Sequence, residues 1–371
     1  MLPSAAAFAA ADGWFFIGKV YIMTVSLCMI VKNEEKVLER CLESVADLCD
    51  EVVIVDTGST DSTKSIAARY TSHVYDFEWC DDFSAARNFA FSKCTCDYIY
   101  SADADEYLDE DNRIQFKNLI SALDPAVEIV QMHYYEPGIS DVLNSKSEYR
   151  PKLFKRLRAF RWIDPVHETV AADPLVFDSD VVITHEPAEL HTSRDFSIFE
   201  KTYHRDGCLS KRLYAMYARE LYKNGTPSEI KRGADIFRDV LSGGELDCDL
   251  LSMLLAVMAK DARFSKNAPG MLLYTSRLLA VDDPCAEVCF ELGEFFYENG
   301  EYNDAALWYL NASQQSPLMD VHAGGDAALR GLGRSYAHLS EQTDGEESDS
   351  YRDLAEQYEK QADEWELPEE G

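Results

Sequence analysis

Between Val25 and about Asp109 the chain repeats one unit: a short apolar run that stops at polar residues, followed by an amphipathic stretch. That alternation restricts the segment to an α/β layer. "VSLCMIV" predicts a first strand, and "EKVLERCLESV" a helix with Val37, Leu38, Cys41, Leu42 and Val45 on one face. "EVVIVDTGSTDST" predicts a second strand ending at Asp56, a Gly/Ser/Thr turn and a helix capped near Asp61. "HVYDF" reads as a short third strand, "DDFSAARNFAFSKC" as a helix opening near Phe83, and "YIYSADAD" as a fourth strand. Strands separated by helices form a parallel sheet, because each crossover returns the chain to the same edge. Ligands of such sheets sit beyond the carboxyl ends of the strands. Asn33, Asp56, Asp103 and Asp105 all lie there. Asp-x-Asp alone marks a turn at least as often as a metal site, but three strand ends delivering polar groups to one crevice favour a ligand.

After residue 109 the pattern loosens, with "IVQMHYY", "PKLFKRL", "FRWIDPVHETV" and "DVVITHEP" as expected strands. From about 195 onward nearly everything reads as helix. In "CFELGEFFYENGEYNDAALWYLNASQQSP" (289–317), Leu292, Gly293, Phe296, Gly300, Tyr302, Ala305, Tyr309, Ala312 and Pro317 occupy tetratricopeptide positions. Small residues there let paired helices approach, and aromatic ones fill between them. Residues 212–241 resemble a second, looser copy, and 327–339 begin a third, because one repeat cannot bury its own face. "SEQTDGEESDS" (340–350) reads as an acidic loop between helices. The expected organisation is an extension over 1–22 that is not needed by the fold, an α/β domain over 23–195 and a helical repeat domain over 196–371.

Charge excludes one class of partner. With 67 acidic against 35 basic residues the formal net charge is −32, a field that repels polyphosphate and argues against general nucleic-acid binding. The ten cysteines show no paired CxxC spacing. Cys28 and Cys41 fall in apolar periodic stretches, and Cys285 and Cys289 are one helical turn apart, as reduced core thiols would be. A cytoplasmic location is expected. Asp12, Gly13 and Lys19 interrupt the first apolar run well short of the roughly 20 residues that span a bilayer, so neither a signal peptide nor a membrane span is expected.

Taken together, "SLCMIVKNEE", "VVIVDTGSTDST", "FSAARNFA" and "YSADADEYL" resemble, in order and spacing, the inverting family 2 glycosyltransferases with the GT-A nucleotide-diphosphosugar fold. "VHE" and the helical tail resemble a bacterial subgroup that joins this domain to tetratricopeptide helices and includes enzymes glycosylating peptide cysteines. The resemblance implies a nucleotide-sugar donor, most simply a UDP-hexose, and Mg²⁺ or Mn²⁺. It implies Asp105 as a direct metal ligand and Asp103 as a ribose or metal contact. Asp56 is implied to accept a hydrogen bond from the uracil ring; otherwise it caps the "TGST" turn. Lys32, Asn33 and Glu34 match the first donor loop, and Arg87 and Asn88 match contacts to the nucleotide-sugar.

Given the diphosphate donor that the resemblance implies, physical chemistry favours a metal. A diphosphate must be held against a strongly negative chain, and hard divalent cations bridge carboxylates to phosphates. Arg87 suits phosphate through its fork of donors. Inverting transfer also needs a base opposite the leaving group. Asp164, His167 and Glu168 in "WIDPVHETV" are candidates, with Glu168 preferred over Asp164. His185 is a candidate third metal ligand or diphosphate contact. The acceptor is expected to be a peptide, protein or glycan, recruited by the concave face of the repeats, which also offer a surface for a protein partner or self-association. The rival reading is a non-catalytic repeat scaffold with a degenerate nucleotide-sugar domain. A nucleotidyltransferase would want a Gly-rich basic loop after the first strand, and "MIVKNEE" is not one.

Overall fold

A computed structural model describes residues 23–135, 148–170, 174–186, 192–243, 246–280 and 284–367. The expectation for residues 1–22 lies outside them.

Ten strands form, in chain order, β1 (Val25–Val31), β2 (Glu51–Asp56), β3 (Val74–Asp76), β4 (Tyr98–Ser101), β5 (Glu106–Tyr107), β6 (Ile129–Tyr135), β7 (Glu148–Lys155), β8 (Trp162–Ile163), β9 (Thr169–Val170) and β10 (Val176–His185). Eight of them make one sheet in the order β3-β2-β1-β4-β7-β6-β10-β5, and β8 pairs with β9 as a separate hairpin. The four anticipated strands form its parallel half: β1 pairs with β2 and β4, and β2 with β3, all in parallel. β7 then runs antiparallel to β4 and β6, β10 parallel to β6 and β5 antiparallel to β10. This last pairing was not anticipated. It places Glu106 opposite His185 and so folds the fourth strand's acidic end back toward the far edge of the sheet.

Helices α1 (Leu38–Val45), α2 (Thr63–Ala67), α3 (Phe83–Phe91) and α4 (Glu110–Ala122) cover the sheet. α1 turns the predicted Leu38, Cys41, Leu42 and Val45 into a core with Leu27, Met29 and Ile54. Asp82 caps α3 by accepting from the Ala85 N–H at 3.0 Å, a contact worth about 1 kcal/mol.

The remainder is helical: α5 (Thr192–Asp206), α6 (Lys211–Asn224), α7 (Pro227–Gly243), α8 (Cys248–Phe264), α9 (Ala268–Leu279), α10 (Ala286–Glu298), α11 (Tyr302–Ala312), the short α12 (Val321–Gly324), α13 (Asp326–Gln342) and α14 (Glu346–Asp363). The three repeat-like stretches correspond to α6–α7, α10–α11 and the start of α13–α14, and the unanticipated pair α8–α9 sits between the first two. In α10–α11 and α13 the small residues act as expected: a Cβ on Gly293 or on Gly331 would stand 2.6 Å from the Tyr309 ring. The acidic stretch 340–350 differs from expectation. Only Thr343–Gly345 leave the helix, because Glu346, Glu347 and Asp349 fall in the first turn of α14, where acids complement the helix dipole.

The two regions share a seam. Val166 belongs to the helical core with Phe196, Phe199 and Tyr217, and Trp79 and Phe83 pack against it. All ten cysteines are free thiols, and no helix among the described residues is long and apolar enough to cross a membrane.

Candidate active site

The loops after β1 and β2 are zipped by short polar side chains. Asn33, in the left-handed region at φ +57°, donates its N–H to Ser59 Oγ (2.9 Å) and accepts from the Thr60 N–H at Oδ1 (2.8 Å). The Glu34 N–H donates to Thr63 Oγ1 at 2.7 Å. Asp56, only 1% exposed, accepts the Gly58 and Ser59 N–H groups at Oδ1 (3.0 and 2.9 Å). The turn interpretation is therefore met by one oxygen alone. Its Oδ2 is buried without a hydrogen-bond partner, an arrangement that costs about 1–3 kcal/mol unless a ligand donates to it.

The chain turns at Ala104–Asp105, sending the two Asp side chains to different partners. Asp103 accepts from Arg87 Nη2 at 2.9 Å and lies 3.4 Å from Lys152 Nζ. Burial would raise its carboxyl, but Arg87 and then Lys152 outweigh burial and hold it far below the usual range. Asp105 Oδ2 instead sits 3.2 Å from His185 Nε2. Glu106 is 1% exposed. It accepts the Asp103 N–H at 3.1 Å and is ion-paired with Lys152; burial nonetheless pushes its carboxyl upward. Glu34 is driven up to about 7, first by burial and then by the Asp105 charge.

Arg87 is the hub. It donates to Glu168 Oε1, to Ser101 Oγ at 3.0 Å and to Asp103, and stacks over the Trp162 ring at 5.3 Å. Burial opposes its charge, but Asp103 and Glu168 more than compensate. Asn88 spends both ends of its amide on Trp162, donating to its carbonyl and accepting from its N–H, each at 2.9 Å. It thus fastens the β8–β9 hairpin to α3.

These groups open on a cavity of about 670 Å³. Of the residues expected from sequence, Lys32, Glu34, Arg87, Asp103, Asp105, Glu168 and His185 line it. Asn33, Asp56, Asn88 and Asp164 are held by neighbouring backbone or side chains instead of forming its lining; Asp164 is paired with Arg212 Nη1 at 2.7 Å. His167, set aside in favour of the two acids, also lines the cavity, with its Nε2 buried and unpartnered. Sequence reasoning missed Lys152, Trp79 and Trp162, and the contributions of Arg194, Asp195, Arg212 and Met216 from α5 and α6. Lys152 carried the one readable signal, a charge beside Leu153 and Phe154 in the expected strand "PKLFKRL". Among the described residues no group of three or more His, Cys, Asp and Glu is arranged to hold a metal ion. Asp105 Oδ2 and His185 Nε2 meet 3.2 Å apart at the cavity wall.

The mostly parallel sheet, with acidic and basic groups gathered past β1, β2 and β4 and a helical region following, is the architecture of a GT-A type fold. Residues 26–179 match the family described as Glycosyl transferase family 2, so this part of the chain is similar to that family's domain. The chain is 51% identical over 84 residues to a TPR repeat-containing protein of Synechococcus elongatus, covering 23% of this chain and 21% of that one. It is 31% identical over 123 residues to the glycosyltransferase SunS of Bacillus phage SPbeta, 30% of this chain and 29% of that one. With an uncharacterized glycosyltransferase of Rickettsia bellii it shares 26% identity over 223 residues, 56% of this chain and 71% of the relative. The chain thus spans about a fifth of the Synechococcus protein and under a third of the phage enzyme. Among solved structures it is similar to glucosyl-3-phosphoglycerate synthase of Mycobacterium tuberculosis in complex with Mn²⁺, UDP-glucose and phosphoglyceric acid, at 15% identity and a TM-score of 0.38, covering 54% of this chain and 87% of that one.

Proposed function

We propose that the protein transfers a hexose from a UDP-sugar, with inversion and with Mg²⁺ or Mn²⁺, to a peptide, protein or glycan acceptor brought in by the helical region, residues 196–371, in the cytoplasm. The observation that carries this reading is the division of labour in Asp103-Ala104-Asp105: Asp103 is taken by Arg87 and Lys152, while Asp105 meets His185 at 3.2 Å at the cavity wall. The donor set fits the ion. Mg²⁺ and Mn²⁺ at phosphate sites use one or two protein donors and complete their shell with phosphate oxygens and water, so a cage of three or more protein ligands is not required. Asp105 and His185 would hold it. Bound there, the ion would offset the diphosphate charge and ease departure of the nucleoside diphosphate.

The chain's own residues supply the rest. Asp56 would accept from the uracil N–H, a role its buried, unpartnered Oδ2 supports, and the zipped loops around Lys32, Asn33 and Glu34 hold the nucleoside. Arg87 reaches the diphosphate with the same fork that now holds Asp103 and Glu168. Glu168 lines the cavity and takes the acceptor proton, its Oε1 released when the Arg87 guanidinium turns from it to phosphate. Asp164 faces Arg212 instead, which favours Glu168 for this role. Titration calorimetry tests the reading: UDP should bind in the presence of Mn²⁺ and lose that metal-dependent affinity in Asp105→Ala. Absence of UDP binding with and without Mn²⁺ would refute it and favour the repeat-scaffold alternative.

A further inference from the structure

Arg212 lies in α6, 44 residues beyond Glu168 in a different part of the fold, yet it reaches the loop that carries Glu168. Its Nη1 donates to Asp164 Oδ2 at 2.7 Å and its Nη2 to the His167 carbonyl at 2.8 Å. That loop, 164–168, is the turn of the β8–β9 hairpin, and two of its non-glycine residues adopt the left-handed conformation, Asp164 at φ +69° and His167 at φ +49°. Such residues are strained and persist where the surroundings over-determine them. The surroundings here come from both regions. The Phe83 N–H donates to the Pro165 carbonyl at 2.9 Å, Val166 is buried in the helical core, and the His167 ring stacks at 6.0 Å on Phe199 of α5.

We infer that Arg212 is a positioning residue for sugar transfer: its two-pronged grip holds the 164–168 turn so that Glu168 meets Arg87, and Arg87 meets Asp103. The inference rests on the proposed function for its catalytic consequence, but its structural half stands apart. On this view α5 and α6 are a wall of the active site, and the helical region does more than recruit an acceptor. A single-pronged lysine cannot reproduce the grip, since Arg alone offers two divergent donors in a fixed plane.

The test uses the full chain with Arg212→Ala and Arg212→Lys, with Asp164→Ala as a second way to open the grip should Arg212→Ala fail to fold. Hydrogen exchange is read first. Amides of 162–170 should exchange at least about tenfold faster in Arg212→Ala, while those of α8, α10 and α11 stay within about twofold of the unaltered protein. Hydrolysis of UDP-glucose with Mn²⁺ is read second: kcat should fall between about tenfold and a hundredfold with KM for UDP-glucose within about twofold, and Arg212→Lys should recover part of the loss. Unchanged exchange across 162–170, or an unchanged kcat in a folded Arg212→Ala, overturns the inference. An unaltered protein that neither binds UDP nor hydrolyses UDP-glucose removes the functional reading and the catalytic half with it, while the exchange data still decide whether the grip exists.

Discussion

Both halves of this molecule bury charge, and they do so for different ends. In the sheet region Arg87, Asp103, Lys152, Glu106 and Glu168 form a chain in which Arg87, Asp103 and Lys152 each serve more than one partner, and most of the chain borders the cavity. In the helical region the buried charges are fixed to the framework. Arg263 holds the fully buried Glu291 at 2.7 Å and Glu298 at 2.6 Å, and none of the three borders the cavity. Glu287, also fully buried, accepts the N–H groups of Leu318, Met319 and Asp320 through one oxygen at 2.6–3.0 Å, tying α10 to the segment before α12. Burial of an ion pair therefore does not mark a functional site. A shared partner facing open space, as in the proposed site, is one that can be handed to a ligand.

The sharpest way to break this contrast is to remove the cation from each. Arg87→Met and Arg263→Met should each cost about 3–5 kcal/mol in denaturant unfolding, since a carboxylate is left buried without its counter-charge. Only the former should abolish metal-dependent UDP binding. Equal loss of UDP affinity in the folded Arg263 variant would erase the distinction. Next in size, Glu287→Ala should cost about 2–3 kcal/mol through three stranded backbone donors, and Glu287→Gln less, because an amide oxygen can still accept them; urea midpoints of the two variants measure the difference.

A pH experiment sharpens the sheet side. With its folded-state value raised to about 7, Glu34 stays neutral in the fold while the unfolded chain ionises from about 4.5. In metal-free protein Glu34→Gln should thus match the unaltered Tm below about pH 4.5, gain on it as pH rises, and level off above about 7. A Tm difference that is flat from pH 4 to 8 would show Glu34 to be ordinary. The smallest effect is expected at Arg40, whose ion pair with Glu186 is 37% and 53% exposed; Arg40→Ala should shift stability by less than about 1 kcal/mol.

The same contrast explains what could be read from sequence. Strands β1 to β4 were legible because each is a compact apolar run with its own periodicity, and Asp56, Asp103 and Asp105 were legible because strand ends are where such sheets place polar groups. β5 has two residues, too few for any pattern, although its pairing is what brings Glu106 opposite His185. α8–α9 lack the small-and-aromatic spacing that marks α10–α11, so that pair passed unnoticed. Lys152 looks like one more basic residue beside Lys155 and Arg156 until its partners, 46 and 49 positions earlier in the chain, are in view. Arg212 carries no local signal at all. Its role exists only once α6 has docked on the hairpin.

The Tyr309 ring, pressed against Gly293 on one helix and Gly331 on another, acts as a shim of fixed thickness between successive layers of the helical array. The stagger of those layers sets the curvature of any superhelix they build. An alanine at either glycine would therefore change the pitch of the whole tail, and with it the arc offered to an extended acceptor, without touching a single residue of the surface that the acceptor would meet.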